Sequence, residues 1–546
     1  MRVKALIVKR QSSSARHPHG WLTISVFLIL SVVMTVQAFA ENTESSELHL
    51  TPLNPAFVEW QNKVAAGERA GIMPSPVLYH NDPLIDEKLD LPSRFDLRDS
   101  DRISPVKYQG SCGSCWAFSN CGLLEGLMKD SQGFFPDLSE NHLIHHHGFL
   151  MEPCHGGGSG MALAYFSRWD GPLLEEDDPY NPDVGSNPRA GAKTQTLLLG
   201  ASIFSEAKSL RTRLQAYLFE KGPLATSMCW DDDFYNASQN AYYCSAEMGL
   251  GHGITLVGWD DNKEIDGAPE LGAWICKNSW GLKWGEEGFF YLSYHDAASV
   301  DECMGLDEIA KPREYGRLYM YDPFGVNASL TSTPGITVYA ANVFAAVEDE
   351  EIVAVATFFV ADGINYTAAI HEGPIVDGTP GTLLSETSGV MEQAGYHTIS
   401  LPEKVAIKAG DSFTVVFAYQ KDEVDVSIPI EAPQPGKVPA QSEAGESYVS
   451  TDGFFFQDVT EHVSKGNACI RALTAPKPDE SLAQTHPADA NEEGFISMEE
   501  VQYYTQGWQE KEVLMDWAIG ALYLKRLGGT YRYDPELSGS QAWIPD

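Results

Sequence analysis

The apolar positions of the chain change their period along its length. After Cys115, the residues Ala117, Cys121, Leu124 and Met128 recur at helical spacing with Leu123 and Leu127 alongside. This predicts a mostly buried helix with Cys115 in its first turn, ended by Lys129 and Gly133. Over residues 93–312 helical and strand patterns are mixed, and Gly253–Trp259, Ala273–Lys277 and Gly288–Ser293 read as strands. From about Leu318 the runs Ile336–Ala345, Ile352–Val360, Tyr366–Ile370, Tyr396–Leu401 and Ser412–Gln420 are strand-like, separated by Gly, Asp and Pro. In the last of them Phe413, Val415, Phe417 and Tyr419 alternate, so one face should be buried. The expected fold class is α+β in two subdomains over 93–312, one mostly helical and one mostly β, followed by an antiparallel β-sandwich over 318–474. Residues 475–486 read as a linker. Residues 487–546 read as a small module of two short helices, with Val501, Tyr504, Trp508, Val513, Leu514, Trp517, Ala521 and Leu524 as its apolar positions.

Charge and the amino terminus add an address. The chain carries 37 basic and 76 acidic residues, a formal charge of −39, which should repel nucleic acid and anionic membranes. Residues 1–40 run counter to this, with Arg2, Lys4, Lys9, Arg10 and Arg16 before an apolar stretch from Trp21 to Val36 and then Ala38-Phe39-Ala40. That order predicts a secretory signal peptide cleaved after Ala40. The product would be secreted, periplasmic or at the cell surface, with no stable membrane span after cleavage. Residues 41–92 form a short, polar, proline-punctuated leader, either a plug or a simple lead-in. An exported chain with nine cysteines can form disulfides. Cys229 and Cys244 enclose a polar, aromatic loop and could bridge a hairpin. Cys121 and Cys276 sit in apolar runs and read as buried free thiols, while Cys303 and Cys469 stay open.

The chemistry concentrates in Gln109–Phe118, QGSCGSCWAF, where Cys115 stands at a glycine-rich turn leading into a helix. A thiol attacks as its thiolate, and a helix amino terminus helps it lose its proton. The Cys112/Cys115 spacing alone would also allow a redox or metal pair, but no βαβ context or second cysteine pair follows. The stretch resembles the papain family of cysteine proteases, whose signature reads C-G-S-C-W, and Leu91–Arg98 resembles the start of that family's catalytic domain. The resemblance implies Cys115 as nucleophile, His252 in the GHGITLVGW run as base, and Asn278 in NSWG as the group orienting His252. It further implies Trp280 as a shield over the Asn–His hydrogen bond, and Gln109 as an oxyanion donor. It pairs Cys112 with Cys154, and makes Gly156 and Gly157 of the CHGGG run a wall on which a peptide docks by its backbone. The family's usual preference is for an apolar side chain at the second residue upstream of the scissile bond. Catalysis would need no cofactor.

Three features depart from the family pattern. Gly251 precedes the histidine where Asp or Asn is common, and a second disulfide cysteine is missing after Leu138-Ser139-Glu140-Asn141. His145, His146 and His147 are consecutive, so on a helix they point apart and do not make a metal cluster.

Residues 318–474 resemble the lectin-like domain that follows some bacterial papain-family proteases. Asp489, Asn491, Glu493, Phe495, Ser497 and Glu500 fall at ligand positions of an EF-hand-type loop, with Gly494 at its turn. That segment resembles half of a dockerin-like module and implies bound Ca2+. The expected protein is thus an exported cysteine endopeptidase acting on proteins or peptides, targeted by a lectin-like domain that takes a glycan. The alternative is a surface adhesion or assembly protein with a latent peptidase fold.

Overall fold

The structure is a computed structural model that describes residues 47–68, 71–83, 90–246, 248–249, 251–422, 426–434, 437–476, 501, 531–533 and 543–545. The expected signal peptide, most of the expected linker and the expected calcium loop, Asp489, Asn491, Glu493, Phe495, Ser497 and Glu500, lie outside the described residues. Among the described residues there is no group of side chains able to hold a metal ion, and no helix is long and apolar enough to cross a membrane.

The leader contributes strand β1 (His49–Leu50) and helix α1 (Pro55–Ala65). Asn54 caps α1 by accepting the Ala56 N–H at 3.0 Å, and Pro55 stands where a missing N–H costs nothing. The helical half of the next domain holds α2 (Cys115–Gln132), α3 (Glu140–His146) and α4 (Ser159–Ser167). Its β half comprises β2 (Arg94–Asp96), β3 (Leu197–Ser205), helix α5 (Arg211–Glu220), β4 (Leu224–Met228), β5 (Tyr235–Asn236), β6 (Ala241–Tyr242), β7 (His252–Asp260), β8 (Ala273–Lys277), β9 (Phe289–Ser293) and β10 (Ser299–Ala310). All three strands read from the sequence are present, within a residue or so at their ends.

Thirteen strands follow: β11 (Leu318–Tyr319), β12 (Ala328–Thr331), β13 (Val338–Ala345), β14 (Glu350–Phe359), β15 (Ile364–Glu372), β16 (Leu383–Met391), β17 (Gly395–Ile407), β18 (Ser412–Gln420), β19 (Ser427–Glu431), β20 (Ser447–Ser450), β21 (Gln457–Asp458), β22 (Asn467–Ala468) and β23 (Ile470–Thr474). One sheet has the order β16-β15-β18-β13-β20-β21, and its apolar face packs against β14, β17 and β23. Alternation in β18 buries Phe413, Val415, Phe417 and Tyr419 in this core, as its pattern predicts.

The second sheet of that sandwich does not end at the domain boundary. It runs β11-β23-β14-β17-β3-β10-β4-β7-β8-β9-β6-β5, so β17 pairs directly with β3 of the preceding domain. The seam is antiparallel and short, with Gly395 opposite Ser202, Tyr396 opposite Ala201 and His397 opposite Gly200. Gly395 has φ +145°, and a Cβ there would sit 1.9 Å from the Ala201 carbonyl oxygen, so only glycine lets the strands close.

An ion pair and a buried hydrogen bond reinforce the junction. Arg213 of α5 pairs with Asp362, and Arg471 of β23 pairs with Asp322 at 2.8 Å with both side chains fully buried. Arg471 also donates to the Ser167 carbonyl at the end of α4, at 2.7 Å.

The leader wraps both domains. β1 adds antiparallel to β12, at the edge of the sheet β1-β12-β19-β22. α1 buries Phe57 and Trp60, and the Lys437 ammonium of the β-sandwich lies 4.1 Å from the Trp60 ring centroid. The chain then crosses the α+β domain, where Ile72 bridges Gly157 in parallel and the Met73 N–H donates to the Gly157 carbonyl at 2.8 Å. It leaves between the domains, where the His80 N–H donates to the Val360 carbonyl and the Tyr79 N–H to Ser205 Oγ.

Truncating Trp60 to alanine removes a large buried side chain and the partner of Lys437, a loss of about 3 kcal/mol. If that loss falls on leader docking, the open population rises about 100-fold. The expected result for Trp60→Ala is faster modification of Cys115 by a thiol reagent in the uncleaved chain, read by intact mass.

Candidate active site

Cys115 opens α2, with Ser114 as the cap residue, so the thiol sits where the unpaired N–H groups of the helix concentrate positive charge. The turn that delivers it is held from three sides. Cys112 is disulfide-bonded to Cys154. Gly113 packs so closely on this loop that a Cβ would fall 2.6 Å from the Cys154 carbonyl oxygen. The Tyr180 hydroxyl donates to the Gln109 carbonyl at 2.9 Å and contacts Ser114 Oγ at 2.6 Å. Tyr180 carries no motif and escapes a sequence reading.

Across the cleft His252 begins β7, and the Gly253 N–H donates to Cys115 Sγ at 3.2 Å. The strand thereby brings the histidine and the thiol to one place. His252 Nε2 is 2.8 Å from Asn278 Oδ1, which also accepts the Ser279 N–H at 2.7 Å. The amide oxygen favours a proton on Nε2, leaving Nδ1 as the basic nitrogen. Trp280 stacks on the imidazole with ring centroids 4.5 Å apart. Behind it, Trp230 and Trp284 pack edge-on at 4.7 and 5.0 Å. These two tryptophans extend the shield, and only their aromatic character hinted at it.

Gln109 Nε2 donates to the Cys112 carbonyl at 2.8 Å and its Oε1 accepts from Ser279 Oγ at 2.5 Å. The amide is thus oriented beside the nucleophile's turn with one further N–H hydrogen to give. Gly156 has φ +95°, and a Cβ on Gly157 would fall 2.4 Å from the Trp116 indole. The wall is flat because it is glycine, and the leader already uses it as a pairing edge.

Both reacting side chains are buried. Burial pushes the Cys115 thiol up, opposed by the Gly253 and Trp116 N–H groups. Burial holds His252 down to about 4, partly opposed by Asn278. Burial thus favours the neutral form of both groups.

Other candidates fall away from the cleft. Cys229 and Cys244 are not bridged; both are buried free thiols. Each is tied locally instead: the Cys229 N–H donates to the Ala298 carbonyl at 2.7 Å, and the Cys244 N–H to Asp296 at 2.8 Å. The loop between them is closed by Trp230 stacked on Tyr242, centroids 5.0 Å apart. Cys121, Cys276, Cys303 and Cys469 are also buried free thiols. The histidine run diverges: His145 bonds the Asn141 carbonyl, His146 bonds Ser186, and His147 accepts the Phe149 N–H. Gly251 is exposed, with nothing within 4 Å of where a Cβ would stand.

Residues 91–309 match the family model "Papain family cysteine protease" and residues 318–474 match "Lectin like domain". The chain is 34% identical over 217 residues to cysteine proteinase 15A of Pisum sativum, and 33% identical over 217 residues to procathepsin L of Mus musculus. These alignments take in 37% and 38% of this chain and 58% and 61% of the relatives, so the chain spans about three-fifths of their length. A solved structure of the cysteine protease and lectin-like domains of Cwp84, a surface layer associated protein of Clostridium difficile, superposes with a TM-score of 0.68. It covers 80% of this chain and 100% of that one at 24% identity, a likeness of fold. Residues 91–309 are accordingly a papain-family cysteine protease domain, followed over residues 318–474 by a lectin-like domain.

Proposed function

We propose that this chain is the precursor of an exported cysteine endopeptidase, held inactive by its own leader and directed to its substrate by the lectin-like domain. The observation that carries the reading is Cys115 at a helix amino terminus beside His252, with Asn278 on the far ring nitrogen. In the open enzyme His252 Nδ1 takes the thiol proton, and the thiolate attacks the peptide carbonyl. The Gln109 amide and the Cys115 N–H stabilise the oxyanion. His252 then protonates the leaving amine, and water hydrolyses the thioester with the same histidine as base. Asn278 keeps the ring in the tautomer that leaves Nδ1 free, and Trp280 keeps water from that hydrogen bond.

The leader runs parallel to the wall where Ile72 meets Gly157. That direction is unlike the antiparallel pairing expected of a substrate, which supports a blocking role. Targeting rests on the family match of residues 318–474 and on the outer face of the β15–β18 sheet, where Tyr339, Asn365, His371, Glu386 and Gln420 surround a shallow groove.

The test is labelling by a peptidyl epoxide, with hydrolysis, before and after leader removal. In the uncleaved chain a raised thiol and a lowered imidazole make thiolate scarce at neutral pH, so labelling should rise only as pH climbs above the ordinary thiol range. Leader removal should carry that profile to lower pH, because an opened site no longer penalises the charged pair. Equal profiles for the two forms would sink the blocking role.

A further inference from the structure

The leader's crossing of the glycine wall identifies a pocket in the cleft that no motif announces. It is lined by Trp116, Ser159, Ser227, Gly253, Asp301 and Glu302, with Ile72 and Met73 of the leader packed into it. Trp116 follows Cys115 in the chain and Gly253 bonds its sulfur, so this pocket adjoins the reacting atoms. A peptide paired with Gly157 places a side chain here.

Its chemistry is anionic. Glu302 stands on β10 opposite Ser205 of β3, set back in the pocket and half-buried. Asp301 and Glu206 line the same space and are exposed. Glu125 and Glu140 share Lys107, Asp322 has Arg471, and Asp362 has Arg213, while the buried Asp178, Asp296 and Glu431 form no ion pair among the described residues and lie outside this pocket. Among the described residues Glu302 forms no such ion pair. Its partner in this form is the backbone N–H of Ser75, a leader residue, and burial pushes the carboxyl up to about 7. A carboxylate that faces this pocket with no cation of its own among the described residues is a fitting partner for a cation that the substrate brings.

Resting on the peptidase reading above, we propose that Glu302 is a specificity-determining residue that selects substrates with arginine or lysine at the position paired with Gly157, two residues before the scissile bond. The apolar preference usual in the family is replaced here by a basic one. The leader's own residues at the wall, Ile72 and Met73, are uncharged, so they block the pocket without using its charge.

The experiment uses the full chain with its leader removed and four fluorogenic peptides that differ only at that position: arginine, lysine, citrulline and leucine. Citrulline keeps the shape of arginine and removes the charge. The expected result is arginine over citrulline by about 100-fold in kcat/KM, carried mainly by KM. Glu302→Gln should bring that ratio close to one, with an unchanged tryptophan fluorescence spectrum showing that the variant folds. Equal rates for arginine and citrulline in the wild type, or a ratio that survives Glu302→Gln, would overturn the assignment alone. Failure of all four peptides together with no epoxide adduct on Cys115 would remove the peptidase reading, and this assignment with it.

Discussion

Replacing Cys115 by alanine in the leader-free chain is expected to lower kcat for peptide hydrolysis by at least about 10⁴-fold and to abolish the epoxide adduct. The size follows from the covalent route. Without sulfur there is no thioester, and what remains is the binding and orientation that the wall and the Gln109 amide supply. His252→Ala should cost nearly as much, and the double variant little more than either single, since thiol and imidazole act as one unit. Both variants should keep the fold, because neither side chain is among the large residues that fill the core. Near-normal turnover by Cys115→Ala would refute the mechanism outright.

The second large effect is on stability. Arg471→Met should lower unfolding free energy by about 3–5 kcal/mol, because it strands Asp322 as a buried carboxylate with no counter-charge. It also strips the Ser167 carbonyl of its donor, so the damage falls on the contact between α4 and β23. A urea titration followed by tryptophan fluorescence reads the midpoint. The double variant Arg471→Met with Asp322→Leu should recover much of the loss, since an apolar pair of similar size removes the stranded charge. A midpoint unchanged in the single variant would show that the pair contributes nothing net.

The site was far more legible in the sequence than the way the molecule is assembled around it. Cys115, His252, Asn278, Gln109, Trp280 and the Cys112–Cys154 bridge are announced by short runs of chain, because each needs a particular turn, strand start or glycine beside it. The structure places each of them at the cleft. Strand positions were legible for the same local reason, through alternation in segments such as Ser412–Gln420.

What escaped depends on partners far away in the chain. The pairing of Gly395–His397 with Gly200–Ser202 cannot be seen in either segment alone, nor can the parallel bridge between Ile72 and Gly157. Cys229 and Cys244 looked like a bridge because spacing was the only clue. Neither thiol is bridged; Cys244 Sγ accepts the Ala246 N–H instead, and stacked aromatic rings close the loop. Glu302 went unnoticed because an acidic residue in an acidic chain carries no signal until the fold sets it behind the nucleophile.

The seam between β17 and β3 has a mechanical consequence. Two domains joined by a flexible tether would sample many orientations, whereas strands hydrogen-bonded side by side act as a single beam with little freedom to swivel. If the lectin-like half grips a polymer, the cleft is then carried at a set height and bearing above it. Reach would be decided by that geometry before sequence matters: a scissile bond displayed at the right distance from the anchorage is cut, and an identical bond lying elsewhere on the same lattice is passed over.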